Sequence, residues 1–459
     1  MPPRPTARLT WASRHDAPPV MPPPRLETVE ILHGGETPGR NRLIRGDNLA
    51  AMGALLRDGL GGQVDLVYFD PPFVSRAEYA QPVVLPDGRA IRRPVFSDTW
   101  ASLDAWLDML YPRLRLVHAL LADHGSLYVH LDWRAVHYAR VLLDEVFGAD
   151  AFRNEIVWKR AALLGRKAAS GQYGRVTDSL LFYTRSDRFT FNHLTVERPV
   201  PRSEARWDEA RGRWFRTAPP GDYTPASLAA LENEGRIHRT RSGRRRVKYF
   251  LDETPDGRLV DHARLDNLWL DIPDMMHLPV AERTGYPTQK PLALLQRIVA
   301  VSSNPGDLVL DPFAGAGTTL LAAAGLGRRW LGVEASHAGV AVTRARLLGA
   351  EARSFTVARV GGAGEAAAAD ADDPGFRLSE QGIDLVAGGE EVEYWAVDWA
   401  YDGEFRSAWQ GWRGYGAKGR PLPTHASAPA EGIAGPVIVR WERLDGQQGM
   451  LEVTAVSPP

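Results

Sequence analysis

The stretch that decides the fold is Asp311-Pro-Phe-Ala-Gly-Ala-Gly-Thr-Thr319. It follows an apolar run and opens a segment with helical periodicity, so it predicts a tight connection between a strand and a helix. The glycines let the backbone pass close to a ligand, and the free N–H groups at the helix start favour an anionic group. A turn without a ligand would also explain a bare Gly-x-Gly. The candidate ligand-binding residues are Asp311, Pro312, Phe313, Ala314, Gly315, Gly317 and Thr318.

An acid follows this stretch at a spacing typical of nucleoside sites. Glu334 ends the next predicted strand, 17 residues after Gly317. A carboxylate at such a strand end can accept hydrogen bonds from both hydroxyls of a ribose, although a solvated acid is the plainer interpretation. The third glycine of the dehydrogenase fingerprint is missing, and so is the Gly-Lys-Ser/Thr ending of a phosphate-binding loop. The two features together therefore predict a nucleoside site of a different kind.

A second motif, Asp70-Pro-Pro-Phe73, also follows a continuous apolar strand. Its two prolines fix the backbone and remove two N–H donors, so the turn offers the Asp70 carboxylate and the Pro71 carbonyl as acceptors beside an aromatic ring. Such a site suits a planar ligand with an amino group. An ordinary loop with Phe73 in the core is the alternative. The candidate catalytic residues are Asp70, Pro71, Pro72 and Phe73.

Both motifs lie within a repeated alternation of strands and helices. The periodicity predicts helices at 48–57, 103–121, 135–147, 291–301, 318–326 and 337–348. Strands are predicted at 42–47, 64–70, 126–131, 155–158, 179–183, 308–311 and 330–334. Uninterrupted apolar strands suit a parallel sheet that is buried on both faces. The alternation therefore predicts an α/β sheet with helices on both sides.

Changes in composition along the chain predict its organisation. We expect a mostly disordered Pro-rich leader at 1–40, an α/β region at 41–197, an irregular region rich in Pro, Gly, Trp and Arg at 198–285, a second α/β region at 286–360, a flexible acidic linker at 361–375 and a small β-rich domain at 376–459. Five tryptophans of the last segment are predicted to form its core, although they could also stack on bases: Trp395, Trp399, Trp409, Trp412 and Trp441.

Composition excludes several classes of function. The chain has 459 residues, 44% hydrophobic and 24% charged, with a formal net charge of -1, which excludes an overall basic nucleic-acid binder. It contains no cysteine, so disulfides, thiolate metal sites and cysteine nucleophiles are excluded. No metal site is predicted. No apolar run is long enough for a membrane helix and no signal peptide is evident, so we expect a cytoplasmic protein.

Taken together, the motifs resemble those of DNA amino-methyltransferases that use S-adenosylmethionine, in the group whose catalytic motif precedes the cofactor motif. Further stretches that carry the resemblance are Gly46-Asp-Asn-Leu49, His130-Leu-Asp-Trp133, Phe152-Arg-Asn-Glu-Ile-Val-Trp-Lys159 and Gly285-Tyr-Pro-Thr-Gln-Lys-Pro291. They are similar to the modification subunits of type III restriction systems and their solitary relatives. The resemblance covers roughly residues 41 to 355.

The resemblance implies a circularly permuted, Rossmann-like methyltransferase sheet whose third and fourth strands, at 43–45 and 66–69, precede its first and second, at 308–311 and 330–334. Residues 41–197 would be the catalytic half, 286–360 the cofactor-binding half and 198–285 an inserted target-recognition region. Asp47 would contact the adenine amine of the cofactor, although it could simply cap the following helix. Thr288 and Lys290 would lie near the methionine end, although Lys290 could be a surface charge.

The resemblance also implies the reaction. The target base rotates out of the duplex, Phe73 stacks on it, and Asp70 and the Pro71 carbonyl hold its amine for attack on the methyl group. An Asp before Pro-Pro favours adenine and a Ser favours cytosine N4, so we predict a site-specific DNA adenine-N6 methyltransferase. A cytosine-N4 enzyme is the alternative because both amines present the same geometry. Methylation at cytosine carbon 5 would require the absent cysteine.

Two further classes fit the sequence less well. Methyltransferases of RNA or of protein glutamine usually have Asn before the prolines and keep the cofactor motif first in the chain. A non-catalytic DNA-binding subunit would be favoured by damage to the motifs at 70–73 or 315–317, and both motifs are intact. The resemblance leaves open a restriction or helicase-type partner subunit and a homodimer.

A basic tract in the irregular region is the predicted DNA contact. Arginine can bind phosphates or hydrogen-bond guanine in the major groove, which would let a near-neutral protein bind double-stranded DNA locally. A solvated charged hairpin is the alternative. The candidate DNA-binding residues are Arg239, Arg241, Arg244, Arg245, Arg246 and Lys248.

Overall fold

The computed structural model describes residues 7–15, 24–32, 41–84, 89–161, 171, 173–350, 354–361, 374–379, 381–413, 421–430, 433 and 435–453. Contacts within the chain divide it into two compact units, Met1–Phe191 with Asn267–Pro459, and Asn192–Asp266. The second unit falls mostly within the predicted target-recognition region, whereas 267–285 belong to the first. Most of the predicted acidic linker lies outside the described residues. The domain boundaries themselves stay a prediction.

The helices follow the predicted periodicity. They are α1 (Asn48–Leu55), α2 (Leu103–Leu120), α3 (Val136–Phe147), α4 (Pro225–Asn233), α5 (Leu292–Ser302), α6 (Thr318–Gly325) and α7 (His337–Gly349). Helix α4 lies in the region where the sequence pattern weakens, and the other ends fall within two residues of the predicted ones. None of these helices among the described residues has both the length and the apolar character to cross a membrane.

The strands outnumber the predicted ones. In the first half of the chain they are β1 (Leu26–Leu32), β2 (Arg42–Arg45), β3 (Val64–Phe69), β4 (Glu78–Val84), β5 (Ala90–Ser97), β6 (Leu121–Leu131), β7 (Phe152–Lys159), β8 (Thr177–Thr184), β9 (Thr195–Val200), β10 (Arg206–Asp208) and β11 (Arg213–Ala218). Next come β12 (Ile237–Arg239), β13 (Arg245–Phe250), β14 (Asp252–Glu253), β15 (Leu259–Arg264), β16 (Leu268–Trp269), β17 (Leu308–Asp311), β18 (Arg329–Glu334) and β19 (Phe355–Val360). The C-terminal strands are β20 (Phe376–Ser379), β21 (Gly382–Leu385), β22 (Val392–Asp398), β23 (Arg406–Ser407), β24 (Trp409–Trp412), β25 (His425–Ser427), β26 (Ile438–Arg443) and β27 (Gln448–Glu452).

One large sheet carries the architecture of the first unit. Its strand order is β16-β7-β8-β6-β3-β17-β18-β2-β19-β1-β23. The six strands from β6 to β19 in that order run parallel to one another. The late strands β17 and β18 thus lie between the early strands β3 and β2. This is the permuted α/β sheet that the sequence predicts, and the prediction is confirmed.

The parallel strands form the core because both of their faces are covered. Every residue of β3 and of β17 is buried. On one face, alternate residues of the central strands pack with the apolar sides of α1, α2 and α3. Helices α5, α6 and α7 pack in sequence against one another as a separate group. Since carboxyl ends of parallel strands share one edge, the segments that follow β2, β3, β17 and β18 are brought together there.

The leader prediction needs a correction. Residues 26–32 form β1, which pairs antiparallel with β19 at the side of the large sheet. Leu9 and Trp11 pack against the same hydrophobic core. The prolines on either side dominate the sequence signal, but the ladder of backbone hydrogen bonds to β19 orders this segment. Residues 1–6, 16–23 and 33–40 of the leader lie outside the described residues.

The second unit, 192–266, is built from two small sheets and one helix. One sheet has the order β10-β11-β13-β12, and the other has the order β14-β15-β9. Helix α4 precedes β12, and a tight turn joins β12 to β13. That turn carries Gly243 at φ +77°, a value that suits glycine. The unit is therefore a β-rich insertion between β8 and β16.

The C-terminal segment has its own hydrophobic core. Two sheets, with orders β24-β22-β26-β27 and β20-β21-β25, surround a cluster that includes buried Trp395, Trp399 and Trp441. Trp409 is partly buried and packs against the same cluster. Four of the five predicted tryptophans therefore belong to this core, whereas Trp412 of β24 is half-buried and is not among the residues of the cluster. A separate C-terminal domain stays a prediction. Strand β23 of this segment also pairs with β1 and extends the large sheet.

Buried charges join the C-terminal segment to the large sheet and its helices. Arg344 of α7 pairs with Glu442 of β26, and its guanidinium lies 3.6 Å from the carboxylate of Glu30 in β1. Burial alone would raise the pKa of the Glu442 carboxyl. The facing Arg344 guanidinium, with His337 and Arg440, outweighs burial and holds this pKa well below its usual range. Glu442 therefore stabilises the fold as an anion.

We expect Glu442→Gln to lower the free energy of unfolding at neutral pH by about 3 kcal/mol, because it leaves a buried guanidinium poorly compensated. In the unfolded protein the pKa of this carboxyl is about 4.3, and in the folded protein it is lower. The ionised carboxylate therefore stabilises the folded protein fully above about pH 4.3, and this contribution is lost as the pH falls through the folded-state pKa. The melting temperature of the variant should therefore fall less steeply below about pH 4.3 than that of the wild type. Thermal unfolding between acid and neutral pH measures this. The exposed Glu391→Gln is the control, and parallel pH profiles for Glu442→Gln and the wild type would contradict the prediction.

Candidate active site

One pocket at the carboxyl edge of the large sheet brings the two sequence motifs together. It encloses about 290 Å³. The predicted residues that line it are Asp47, Asp70, Pro71, Pro72, Phe73, Thr288, Lys290, Asp311, Pro312, Phe313, Ala314, Gly315, Thr318 and Glu334. Gly317 is the one predicted catalytic or cofactor residue outside this lining. The sheet topology explains the convergence, because the segments after β2, β3, β17 and β18 all reach this edge.

The glycine loop after β17 is shaped by close contacts. Gly317 caps the start of α6 at φ +70°, and a Cβ built there would lie 2.5 Å from Thr343 Cγ2. Gly315 has φ +53°, and a Cβ there would lie 3.3 Å from the Tyr286 ring. Thr343 Oγ1 donates a hydrogen bond to the Gly315 carbonyl at 2.9 Å. The positive φ therefore favours glycine at both positions, and at Gly317 a side chain would also clash with Thr343.

Glu334 anchors this loop from the end of β18. Its Oε2 accepts a hydrogen bond from Gly315 N at 2.8 Å, and its Oε1 accepts from Ser336 N at 2.8 Å and from Ser336 Oγ at 2.6 Å. Burial raises the pKa of Glu334, while the hydrogen bonds from Ser336 and Gly315 oppose the rise. The carboxylate lines the pocket with acceptor capacity left for further donors.

Asp311 is a buried acid at the base of the pocket. It is 2% exposed, and its Oδ1 accepts a hydrogen bond from Phe313 N at 2.9 Å. Burial raises the pKa of Asp311 to about 7, although hydrogen bonds from Thr319 and Phe313 oppose the rise. Near neutral pH this carboxyl can therefore donate as well as accept a hydrogen bond.

Asp47 has the capping role that the sequence left open. Its Oδ1 accepts from Ala50 N at 3.1 Å as the N-cap of α1, and its Oδ2 pairs with Arg113 at 2.6 Å. The neighbouring Asn48 donates to the Pro312 carbonyl at 2.8 Å, which ties α1 to the loop after β17. The side chain of Asp47 is 57% exposed and lines the pocket. Its contact with the adenine amine of the cofactor stays a prediction.

The catalytic motif is held by a residue that the sequence analysis missed. Buried Asp98 accepts hydrogen bonds from Phe73 N at 3.1 Å, Val74 N at 2.9 Å and Ser75 N at 2.7 Å. Val74 has φ 63°, an unfavourable conformation for a β-branched residue. The Asp98 carboxylate compensates by binding three consecutive N–H groups. No local motif marks Asp98, because its partners lie more than 20 residues away along the chain.

Lys290 contacts Asp70, the predicted catalytic residue. Its ammonium pairs with Asp70 Oδ2, and it lies 5.2 Å from the centre of the Phe73 ring. The Lys290 and Asp70 side chains are 12% and 15% exposed. The family resemblance implies that Lys290 lies near the methionine end of the cofactor, and it does not predict this ion pair. The contact with the methionine end stays a prediction.

A buried polar network lies behind the pocket. Tyr68, which lines it, hydrogen-bonds His130 Nδ1 at 2.6 Å, and His130 Nε2 lies 3.4 Å from Asp178. Asp178 also pairs with Arg160 at 2.7 Å. Burial raises the pKa of the Tyr68 hydroxyl well above its usual value, and the nearby Asp70 and Asp311 charges add to the rise. The Tyr68 hydroxyl therefore stays neutral and is hydrogen-bonded to His130.

The basic tract in the second unit is divided between structural and exposed side chains. Arg246 donates to Thr217 Oγ1 and to the Thr217 carbonyl, both at 2.9 Å, and Lys248 pairs with Asp208 at 2.8 Å. Arg239 and Arg245 are exposed and share Glu232, at 2.5 Å and 3.8 Å. Arg241 and Arg244 are exposed in the turn between β12 and β13. The structure therefore separates six basic residues that look alike in the sequence.

The residues that line the pocket can be compared with the chemical groups of S-adenosylmethionine. Gly315 lines the pocket without a side chain, and a Cβ there would lie 3.3 Å from the Tyr286 ring, which also lines it. The acid Glu334 suits the ribose hydroxyls, and the helix start at Thr318 suits a carboxylate. Among the described residues, no group of three or more His, Asp or Glu side chains could hold a metal ion. The residues present fit this methyl donor.

The fold and the pocket together define an S-adenosylmethionine-dependent methyltransferase whose acceptor is an amino group. The chain belongs to the DNA methylase family that modifies adenine N6 or cytosine N4, and the sequence model of that family matches residues 64–343. The predicted family, fold class and methyl donor are confirmed.

The chain is similar to several named bacterial DNA methyltransferases. Type II methyltransferase M.EcaI of Enterobacter cloacae is 28% identical over 326 residues, which cover 64% of this chain and 67% of that protein. DNA adenine methyltransferase YhdJ of Escherichia coli K12 is 26% identical over 295 residues, covering 64% and 77%. The StyLTI Mod subunit, a type III restriction-modification enzyme of Salmonella typhimurium LT2, is 24% identical over 337 residues, covering 61% of this chain and 49% of that subunit.

Proposed function

We propose that this protein transfers a methyl group from S-adenosylmethionine to the 6-amino group of adenine at a specific site in double-stranded DNA. The observation that carries the proposal is the shared pocket, in which the Asp70-Pro-Pro-Phe73 turn faces the glycine loop and Glu334. One wall then holds the methyl acceptor and the other holds the methyl donor. Flipping of the target base out of the duplex would let its amine reach this pocket.

The residues of the turn would orient the acceptor amine. The Asp70 carboxylate and the Pro71 carbonyl accept its two hydrogens, while Phe73 stacks on the base. Bound S-adenosylmethionine supplies an electrophilic methyl group on a positively charged sulfur. In this proposal the Asp70 carboxylate accepts the proton that the amine gives up, and the ion pair with Lys290 fixes the position of the carboxylate. The gain in rate comes from positioning and from stabilised charge.

Adenine is favoured over cytosine by two observations. The residue before Pro-Pro is Asp70, the residue that resembles the adenine-specific members of the family. One relative, YhdJ, is named a DNA adenine methyltransferase. A cytosine amine would meet the same acceptors, so the product must decide between the two bases.

Nucleoside mass spectrometry tests the proposal. Purified protein is incubated with unmethylated DNA that contains many sequences and with S-adenosylmethionine carrying a labelled methyl group. We expect labelled N6-methyladenine confined to one sequence context. Labelled N4-methylcytosine would refute the adenine assignment, and the absence of both products while the cofactor binds would refute the DNA reaction.

For the DNA contact, we propose that Arg241 and Arg244 in the β12–β13 turn bind the duplex. Both are exposed, whereas Arg246 and Lys248 are occupied by Thr217 and Asp208. If each arginine contacts one phosphate, the double variant Arg241→Ala/Arg244→Ala should lower the slope of log affinity against log salt by about 2. Fluorescence anisotropy with labelled DNA at several salt concentrations measures this.

The control for this prediction is Arg258→Ala, which removes an exposed arginine of the same unit that pairs with Asp256 at 2.6 Å. It should leave the salt slope unchanged. An unchanged slope in the double variant would contradict a role for this turn.

The similarity to the StyLTI Mod subunit supports a restriction subunit as partner. The matched region covers 49% of that subunit. Coexpression with a candidate restriction subunit, followed by size-exclusion chromatography, tests this, and separate elution would count against it.

A further inference from the structure

We infer that the C-terminal β domain is part of the catalytic apparatus, and that Glu393 is a positioning residue for Asp70. The inference rests on the proposed function. A continuous series of buried hydrogen bonds connects Glu393 in β22 to the segment that presents Lys290 to Asp70. We call this series the Glu393 chain; its side chains are Glu393, Arg93, Gln81, Thr284 and Gln289. The sequence alone assigns no role to the C-terminal domain.

The Glu393 chain begins at the boundary between the C-terminal domain and the catalytic region. Glu393 is 1% exposed, and its Oε1 accepts a hydrogen bond from Arg93 in β5. Its Oε2 lies 2.9 Å from His337 Nε2 at the start of α7. The carboxylate therefore joins the β4–β5 hairpin to the cofactor-binding half.

The next link crosses the β4–β5 hairpin. Arg93 Nη2 donates to Gln81 Oε1 at 2.7 Å, and these two residues face each other in the antiparallel pair. Gln81 is fully buried, and its Nε2 donates to the Thr284 carbonyl at 3.3 Å. A buried amide and a buried guanidinium are costly unless both are hydrogen-bonded. Their partners therefore fix the hairpin against residues 284–289.

The last link sets the segment before Lys290. Gln289 Oε1 accepts from Thr284 N at 3.0 Å and from Thr284 Oγ1 at 2.7 Å, and its Nε2 donates to the Glu282 carbonyl at 2.7 Å. Thr288 has φ 62°, a strained conformation for a β-branched residue that surrounding contacts must hold. Lys290 directly follows Gln289 in the sequence and pairs with Asp70.

A second arm of the same hairpin reaches the catalytic turn from the other side. Strand β5 ends at Ser97, and the next residue, Asp98, binds the N–H groups of Phe73, Val74 and Ser75. The hairpin anchored by Glu393 therefore contacts the segments on both sides of the Asp70 carboxylate. A shift of about 1 Å in a reacting group can cost about 100-fold in rate. Glu393 can thus affect the rate of methyl transfer without contacting a substrate.

The test compares two buried glutamates of the C-terminal domain. Glu393 pairs with Arg93 and Glu442 pairs with Arg344, so both domain contacts are ionic, but only Glu393 is linked to Lys290. We expect Glu393→Gln to lower kcat about 10- to 100-fold at temperatures where the variant is fully folded, with little change in KM for S-adenosylmethionine. Glu442→Gln should lower the melting temperature but keep kcat within about twofold of the wild type.

A variant in the middle of the Glu393 chain distinguishes an effect on the position of Asp70 from an effect on the docking of the C-terminal domain. Gln81→Met keeps the volume of the side chain and breaks both links, so it should show the same loss of kcat as Glu393→Gln. The inference is overturned if Glu393→Gln and Gln81→Met change only the melting temperature, or if Glu442→Gln loses as much kcat as they do. Absence of methyl transfer in the wild type would overturn the proposed function, and the inference with it.

Discussion

Asp70→Ala is expected to abolish methyl transfer and to leave S-adenosylmethionine binding intact. The substitution removes the carboxylate that, in the proposed reaction, accepts an amine hydrogen and then the released proton. Interactions of these kinds contribute on the order of 10³-fold to a rate. Transfer of labelled methyl groups to DNA measures the loss, and isothermal titration calorimetry measures cofactor binding. The melting temperature must be checked as well, because Lys290 loses its partner.

Two further variants sharpen the Asp70 prediction. Asp187→Ala removes an exposed aspartate that pairs with Arg153 at 2.7 Å, and it should retain wild-type transfer. Asp70→Asn keeps one acceptor oxygen but loses the charge, so it should retain more activity than alanine and less than the wild type. Wild-type turnover in Asp70→Ala would refute the assigned role of the carboxylate.

Gly317→Ala is expected to lower both cofactor affinity and stability. Its Cβ would lie 2.5 Å from Thr343 Cγ2, and the φ of +70° alone costs a residue with a side chain about 1–3 kcal/mol. The loop after β17 must shift to relieve the contact, which displaces the pocket wall at Gly315. We expect S-adenosylmethionine binding to weaken at least about 10-fold, since 1.4 kcal/mol corresponds to a factor of ten. Calorimetric titration measures the affinity.

Controls for Gly317 separate crowding from backbone strain. Gly325→Ala changes a glycine in the same helix where an added Cβ meets nothing within 4 Å, so it should leave affinity unchanged. Thr343→Gly removes the steric contact and also the hydrogen bond to the Gly315 carbonyl, so the double variant is compared with Thr343→Gly alone. Gly317→Ala should weaken binding less in that background than in the wild type, because only the strained φ remains. Wild-type affinity in Gly317→Ala would contradict the role of this close contact.

Much of the fold could be predicted because its signals are local. The apolar strands β3 and β17 and the amphipathic helices can be recognised from residues that lie a few positions apart in the sequence. Strand β1 was missed because the prolines around it dominate its short alternating pattern, and its hydrogen-bonding partner β19 lies more than 300 residues away. The strands of the second unit and the two C-terminal sheets are short, and their pairing depends on distant partners.

The candidate site divides in the same way. The motifs at 70–73 and 311–319 could be found because turn chemistry fixes their residue types locally. Asp98 could not be found, since an aspartate that binds three N–H groups looks like any other aspartate in a sequence. Arg246 and Lys248 were grouped with Arg241 and Arg244, and only the packing of β11 and β13 distinguishes them.

The sequence by itself determined the class of sheet, the order of its motifs and the chemistry of the methyl acceptor, because strands, turns and missing cysteines act through near neighbours or through composition. Only the tertiary structure decided that Lys290 lies on Asp70, across 220 residues, and that Glu393 holds Arg93, across 300. Such contacts have no local signature. They form because packing brings strand ends and hairpins to one edge of the sheet, where buried charges must find partners.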